Sequence, residues 1–290
     1  MVKLHVKRKD ESQFLYDTSV TSTVDDVIID VTAIYNGRLK VTRVCSELEE
    51  LAQHGTLLPP NMAGLADEQV CELRLVDEWG EKCVPSGGWT FHKDPLGRRN
   101  GRQPGEKMRD VVDKTVAEAR AIVSKKQIQA DVCLTQRAVQ SALDILRGAV
   151  MIMYPMGLPP HETIRLELEN SEDLTGTQAS LEVLDAALAQ LWFSGRELQR
   201  GKLIGDYVGR NEKTKVVVKL QSRGQGPPAR EPLLCEEEQK QLMLHAYRRQ
   251  EQLKKLDQDN DDSYLDSAWA DSSSLKKSFQ GLSNISWRPK

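Results

Sequence analysis

One short stretch of the chain, CVPSGGWTFHKDPLGRRNG at residues 83–101, concentrates residue types that could carry chemistry. Cys83, His92 and Asp94 are the residue types of a cysteine hydrolase, in which a base activates the thiol and a third group orients that base. No signature known to surround a catalytic cysteine occurs here, and the spacing alone does not bring the three side chains together. The pattern favours an ordinary loop cysteine. A thiol-dependent enzyme using Cys83 is the alternative, and Cys83→Ala would separate the two.

The other candidate motifs for ligand chemistry lack decisive positions. GRQPGEK at residues 101–107 has three residues between its glycines where a phosphate loop has four, and methionine follows the lysine. The acidic run DQDNDD has Asp262 where a calcium loop needs glycine and Ala268 where it needs glutamate. No CxxC or HExxH spacing occurs. We therefore predict no catalytic residue, no metal, no cofactor and no small-molecule substrate.

The basic run GRRNGR, together with Trp89 and Phe91, could bind nucleic acid through charge and base stacking. The run is short, however, and the whole chain carries a formal net charge of -3. No recognised nucleic-acid motif accompanies it. The better interpretation is a glycine-rich bend that is solvated or docks on an acidic protein surface, and we predict no nucleic-acid partner.

Composition bounds the class of protein. The 290 residues suffice for two compact domains and a tail, and a hydrophobic fraction of 39% beside a charged fraction of 29% leaves part of the chain solvated. The five cysteines are scattered, which is typical of reduced thiols in the cytosol. No apolar run reaches the roughly eighteen residues of a membrane span, and the N-terminus lacks a signal segment. We expect a cytoplasmic protein without membrane contact.

The first part of the chain shows a strand pattern followed by helix patterns. Residues 2–6 alternate apolar with polar side chains, which predicts a half-buried strand before a turn and a second strand. Apolar residues then recur at helical spacing over 24–35, and Asn36 and Gly37 are expected to end that helix. A second helix is predicted over 38–54.

The second half repeats this order of patterns. AVMIMY at 149–154 and the alternating IRLELEN at 164–170 predict two strands. A helix is expected over 177–200 with Leu188 on its buried face, and TKVVVKL at 214–220 predicts a further strand. On that expectation, an acidic residue in place of Leu188 would unfold this half.

These patterns predict an α+β fold of two β-grasp (ubiquitin-like) modules joined by a helical hairpin, with a C-terminal helix and a partly disordered tail. The predicted parts are a first β-grasp-like domain (1–80), a Gly/Pro-rich loop (81–105), a helical hairpin (106–148), a second β-grasp-like domain (149–221), a linker with a charged helix (222–256), and an acidic linker with an aromatic and basic tail (257–290).

Four aromatic residues stand in the polar C-terminal tail: Tyr264, Trp269, Phe279 and Trp287. The surrounding segment has too little apolar surface to build a core of its own. Aromatics spaced along such a segment are the usual anchors of a partner-binding motif, although they could also fold back on the protein's own surface. We predict that these four residues bind protein partners.

Many long sequence blocks extend along nearly the whole chain, among them HVKR, DESQF, YNGRLKV, LPPNM, DEWGEKCVPSGG, GRRNG, LRGAVMI, YPMGLPP, DLTGTQA, RGQG, PAREP, EEQKQLML and WRP. In this order they closely resemble the Kurly family of cilia- and flagella-associated proteins. The resemblance implies a non-catalytic cytoplasmic factor for motile cilia that acts in the assembly of dynein arms and in cilium positioning and planar polarity. It also implies association with the cilium and basal body. The implied partners are dynein subunits, co-chaperones and assembly factors that include a MYND-type zinc-finger protein.

Overall fold

The computed structural model describes residues 1–65, 67–229, 236–258 and 280, and it mixes helices with strands as the α+β prediction requires. Contacts divide the chain into two units, Met1–Arg230 and Glu231–Lys290. The strands are β1 (Val2–Arg8), β2 (Glu11–Thr18), β3 (Trp89–Phe91), β4 (Arg102–Pro104), β5 (Ala189–Phe193), β6 (Arg196–Glu197) and β7 (Lys215–Ser222). The helices are α1 (Val24–His54), α2 (Asp67–Glu72), α3 (Glu78–Lys82), α4 (Glu106–Ile122), a 3-10 helix (Lys125–Ile128), α5 (Gln136–Met153), α6 (Thr163–Leu168), α7 (Gln178–Glu182), α8 (Gly205–Val208) and α9 (Glu236–Gln258).

Both ends of the first unit contribute to one five-stranded sheet with the strand order β2-β1-β7-β5-β6. β1 pairs antiparallel with β2 and parallel with β7, and β5 pairs antiparallel with β7. The alternation at residues 2–6 buries Val2, Leu4 and Val6 on one face, as predicted. Strands from both predicted modules thus share a single sheet, and α1 follows its first hairpin.

The two separate β-grasp modules are therefore not confirmed. Residues 149–153 belong to helix α5 instead of forming a strand, Tyr154 is the C-cap of that helix, and most of 164–170 belongs to α6. A short, fully apolar run cannot be assigned to strand or helix by periodicity alone. The helix predicted over 177–200 is also wrong, since α7, β5 and β6 occupy that range, whereas the strand predicted at 214–220 is confirmed as β7.

The predicted break at Asn36 and Gly37 is also wrong, because α1 runs unbroken through both residues. Gly37 has a packing role instead. A Cβ at this position would lie 2.7 Å from Cγ1 of Val139 in α5, so the missing side chain allows the two helices to approach closely. α4 and α5 pack against α1 and against each other, and α1 thereby links the sheet to this helical layer.

The second unit contains α9, which corresponds to the charged helix predicted from the sequence. Five of its large apolar residues are at least half exposed: Leu242, Met243, Leu244, Tyr247 and Leu253. Among the residues that the structure describes, no helix has the length and apolar character of a membrane span.

Candidate protein-interaction surface

The glycine-rich stretch predicted as a bend forms a small hairpin in which β3 pairs antiparallel with β4. Trp89 and Phe91 are two residues apart on β3 and therefore point to the same face. Their side chains are 46% and 70% exposed, which is unusual for aromatic rings. The Arg102 guanidinium lies 5.3 Å from the centroid of the Trp89 ring. A Cβ at Gly101 would lie 2.9 Å from the Phe91 ring, so glycine is needed where the chain turns back.

Asp94 shapes the loop between the two strands. One carboxylate oxygen accepts a hydrogen bond from the Leu96 N–H at 2.9 Å, and the other accepts from Arg98 N–H at 2.8 Å and Arg99 N–H at 3.0 Å. Burial alone would raise the pKa of Asp94, but these three backbone donors lower the pKa below its ordinary value. Asp94 therefore stabilises the loop as an ionised acceptor of backbone hydrogen bonds.

A buried ion-pair network then fixes this loop to the body of the protein. The Arg99 side chain is 4% exposed and donates to a Glu47 carboxylate oxygen at 2.8 Å, to the Gly55 carbonyl at 2.8 Å and to Glu162 at 3.3 Å. Glu162 is fully buried and also accepts the Leu57 N–H at 2.8 Å. Burial raises the pKa of Glu162, which the Arg99 charge opposes.

The Arg99 network anchors the loop of the hairpin that carries Trp89 and Phe91. It joins the hairpin loop to α1, to the segment after α1 and to the residue before α6, so three separate segments hold one guanidinium. Sequence reasoning did not identify Glu162 as the partner of Arg99, because 63 residues separate them and no local pattern marks the pair. A charged residue that is fully buried has to be paired, but its burial becomes visible only in the fold.

The possible cysteine-hydrolase residues are engaged in other contacts. The Cys83 side chain is buried, and burial, followed by the charge of Asp77, raises the pKa of its thiol. A reactive cysteine instead needs a lowered pKa and access to solvent. The His92 ring stacks on His54 with ring centroids 4.7 Å apart and Nδ1 atoms 3.0 Å apart. This geometry favours a structural role for each residue.

A cleft of about 810 Å³ lies beside the hairpin. Its apolar lining includes Leu58, Met62, Leu65, Phe91 and Leu96, and Leu96 is 69% exposed. Exposed aromatic and aliphatic side chains at the edge of a cleft are typical of a protein-binding site. The predicted tail anchors Tyr264, Trp269, Phe279 and Trp287 lie outside the described residues.

Comparisons with known proteins give one consistent family. The model of the family "Cilia- and flagella-associated protein 298" matches residues 189–285. The chain is 60% identical to cilia- and flagella-associated protein 298-A of Xenopus laevis and 60% identical to cilia- and flagella-associated protein 298 of Homo sapiens, over 100% of each chain. The Drosophila melanogaster relative is 54% identical over 99% of each chain. No solved structure matches the chain.

Proposed function

Because this chain belongs to the cilia- and flagella-associated protein 298 family, we propose that it is a non-catalytic adaptor for the assembly of dynein arms in motile cilia. The family membership confirms the resemblance that the sequence blocks indicated. The family membership supports a role connected with cilia or flagella. The action on dynein arms is the more specific part of our proposal. The adaptor acts in the cytoplasm and at the basal body, where it also affects cilium positioning and planar polarity.

The observation that carries the adaptor role is the aromatic hairpin described above. Trp89 and Phe91 offer large exposed rings on a hairpin whose loop is held in place by the buried Arg99 network. Rigid aromatic anchors lose little conformational freedom on binding, which is why such residues dominate protein interfaces. The proposed partners are dynein subunits, co-chaperones and dynein-arm assembly factors, including a MYND-type zinc-finger protein.

The hairpin can be tested by changing Trp89→Ala and Phe91→Ala together in tagged protein expressed in cells that are building motile cilia. We expect recovery of dynein subunits or the MYND-type protein to fall about tenfold or more, since each interface aromatic is worth roughly 1–2 kcal/mol or more. The melting temperature should change little, because both rings are exposed. Quantitative mass spectrometry of the purified complexes provides the measurement.

A matched control removes two exposed apolar side chains elsewhere, by Ile29→Ala and Leu188→Ala, which are 50% and 49% exposed. This control should recover partners as the unchanged protein does. Equal recovery with the hairpin variant and the control would exclude the hairpin as the binding surface.

The tail supplies a second set of anchors in this proposal, namely Tyr264, Trp269, Phe279 and Trp287. Changing Trp269→Ala and Trp287→Ala together should weaken co-purification of the assembly partner, because each ring can bury roughly 150–250 Å² against a partner. The melting temperature of the folded body should stay nearly unchanged. A melting temperature several degrees lower with full partner recovery would instead show that these rings bind within the chain.

A further inference from the structure

A second cleft, of about 560 Å³, lies on another part of the first unit, between the β1–β2 turn, α1 and the α7 region. Its volume falls within the range of about 300–1,000 Å³ that is usual for small-molecule sites. The charged residues that line it are Arg8, Lys9, Glu11, Arg38, Lys125 and Glu182. Four cations thus face two carboxylates, and the cleft has an excess of positive charge.

The hydrogen bonds of Arg38 show how this guanidinium is held. Its Nε donates to the Val123 carbonyl at 2.9 Å, and its Nη1 donates to the backbone and side-chain oxygens of Gln13, both at 2.8 Å. All three acceptors are neutral. Burial lowers the pKa of this guanidinium, and the nearby charge of Glu11 opposes this effect only in part. In the part of the chain that the structure describes, no carboxylate lies within ion-pair distance of Arg38.

The neighbouring cations differ in how far the protein neutralises them. Lys125 forms an ion pair with Glu11 at 2.6 Å, so its charge is balanced. The Arg8 guanidinium lies 4.9 Å from the centroid of the Tyr35 ring and donates to the Tyr35 hydroxyl and the Glu182 carbonyl, which are both neutral. Lys9 occupies the tip of the turn with a φ of 56° and is exposed. Among the residues that line the cleft, the cations without an ion pair are therefore Arg8, Lys9 and Arg38, and Glu182 is the carboxylate that remains beside them.

We propose that this cleft binds a small soluble polyphosphate, such as the diphosphate part of a nucleotide, through Arg8, Lys9 and Arg38. Two guanidinium groups suit this ligand, since their planar N–H donors match the oxygens of a phosphate group, and a lysine adds a mobile point charge. A diphosphate carries several negative charges on two phosphate groups, so it can engage more than one cation, whereas chloride offers a single charge. This ligand would complete the charge balance that Arg38 lacks within the protein.

The proposal can be tested with the full chain and sodium pyrophosphate by isothermal titration calorimetry at pH 7.5, with chloride added to hold the ionic strength constant. Saturable binding is expected for the unchanged protein. Arg8→Gln, Lys9→Asn and Arg38→Lys should each weaken it about tenfold, because each change removes a charge-assisted contact or its fork geometry. Asn at position 9 tolerates the left-handed backbone of the turn.

Lys126→Gln is the matched control, since Lys126 is an exposed lysine next to Lys125 but does not line the cleft. It should bind pyrophosphate as the unchanged protein does. If Arg8→Gln or Arg38→Lys lowers the melting temperature, the test of binding relies on Lys9→Asn, because the exposed Lys9 side chain does not contribute to packing. The proposal is overturned by an absence of saturable binding, or by a loss in Lys126→Gln as large as that in Lys9→Asn.

Discussion

Replacing Arg99 by methionine is expected to lower the free energy of unfolding of the Met1–Arg230 unit by about 3–5 kcal/mol. Methionine fills a similar volume but provides no donor for Glu47, Gly55 or Glu162. Glu162 is fully buried, so the change leaves a carboxylate without its cation in a site that water does not reach. Because whole domains are stable by only about 5–15 kcal/mol, the loss is a large share of the total.

Urea denaturation followed by circular dichroism measures this change, with Arg98→Met as the control. Arg98 is the adjacent arginine, and its side chain is exposed, so its replacement should alter stability by no more than about 0.5 kcal/mol. Adding Glu162→Gln to Arg99→Met should restore part of the loss, since the buried group is then neutral. Equal stability of the Arg98 and Arg99 variants would show that the buried network does not hold the hairpin loop.

The pH dependence of the Arg99→Met deficit gives an independent check. Burial raises the pKa of Glu162 above its ordinary value, and removal of the Arg99 charge should raise this pKa further. A carboxyl group whose pKa is higher in the folded state binds more protons there, so stability falls as pH rises from the unfolded pKa to the folded pKa. The deficit of the variant should therefore be smaller at pH 5 than at pH 7.5.

Local patterns predicted the elements whose signal is complete within a few residues. The alternation at residues 2–6 and the apolar run at 214–220 both form strands. In contrast, AVMIMY is apolar on all sides of the helix, although only some of its side chains are buried in the core. Met153 is buried in the core, whereas Met151 and Ile152 stay exposed. The sequence pattern does not distinguish these two environments.

Only the exposed residues of the candidate surface could be identified from the sequence. Trp89 and Phe91 stand out in the sequence as aromatics within a basic, glycine-rich stretch, and Asp94 stands out as an acid near Cys83. The positions of these side chains depend on contacts between segments that are distant in the sequence. The stacking of His92 on His54 and the pairing of Arg99 with Glu47 and Glu162 join residues that no periodicity relates.

The pairing of β1 with β7 is likewise a long-range feature. It pairs Leu4 with Val216, which are more than two hundred residues apart, and the helices of the helical layer lie between the two strands in the sequence. A sequence pattern that repeats strand, strand and helix indicates two units when this pairing is unknown. In the structure, strands from both ends of the pattern belong to one sheet. The unit is therefore expected to unfold as a whole.

Leu191→Ala should destabilise the whole Met1–Arg230 unit by about 2–5 kcal/mol, whereas Leu188→Ala should cost no more than about 0.5 kcal/mol. The sequence pattern placed Leu188 on a buried helical face, but this side chain is 49% exposed just before β5. Leu191 is 0% exposed on β5, where it pairs with Leu220 of β7 in the centre of the sheet. The cavity left by the shorter side chain would therefore lie in the shared core.

Urea unfolding of both variants, followed by circular dichroism and by tryptophan fluorescence, tests this assignment. The α1 helix contributes to the same core as β1, β5 and β7, so loss of the sheet removes the apolar surface against which the helix is buried. Both probes should then report one transition with the same midpoint, lowered in Leu191→Ala only. Equal effects of the two substitutions would contradict the burial of Leu191. Two separate transitions, with the helical signal lost independently of the sheet, would show that the two halves fold as independent units after all.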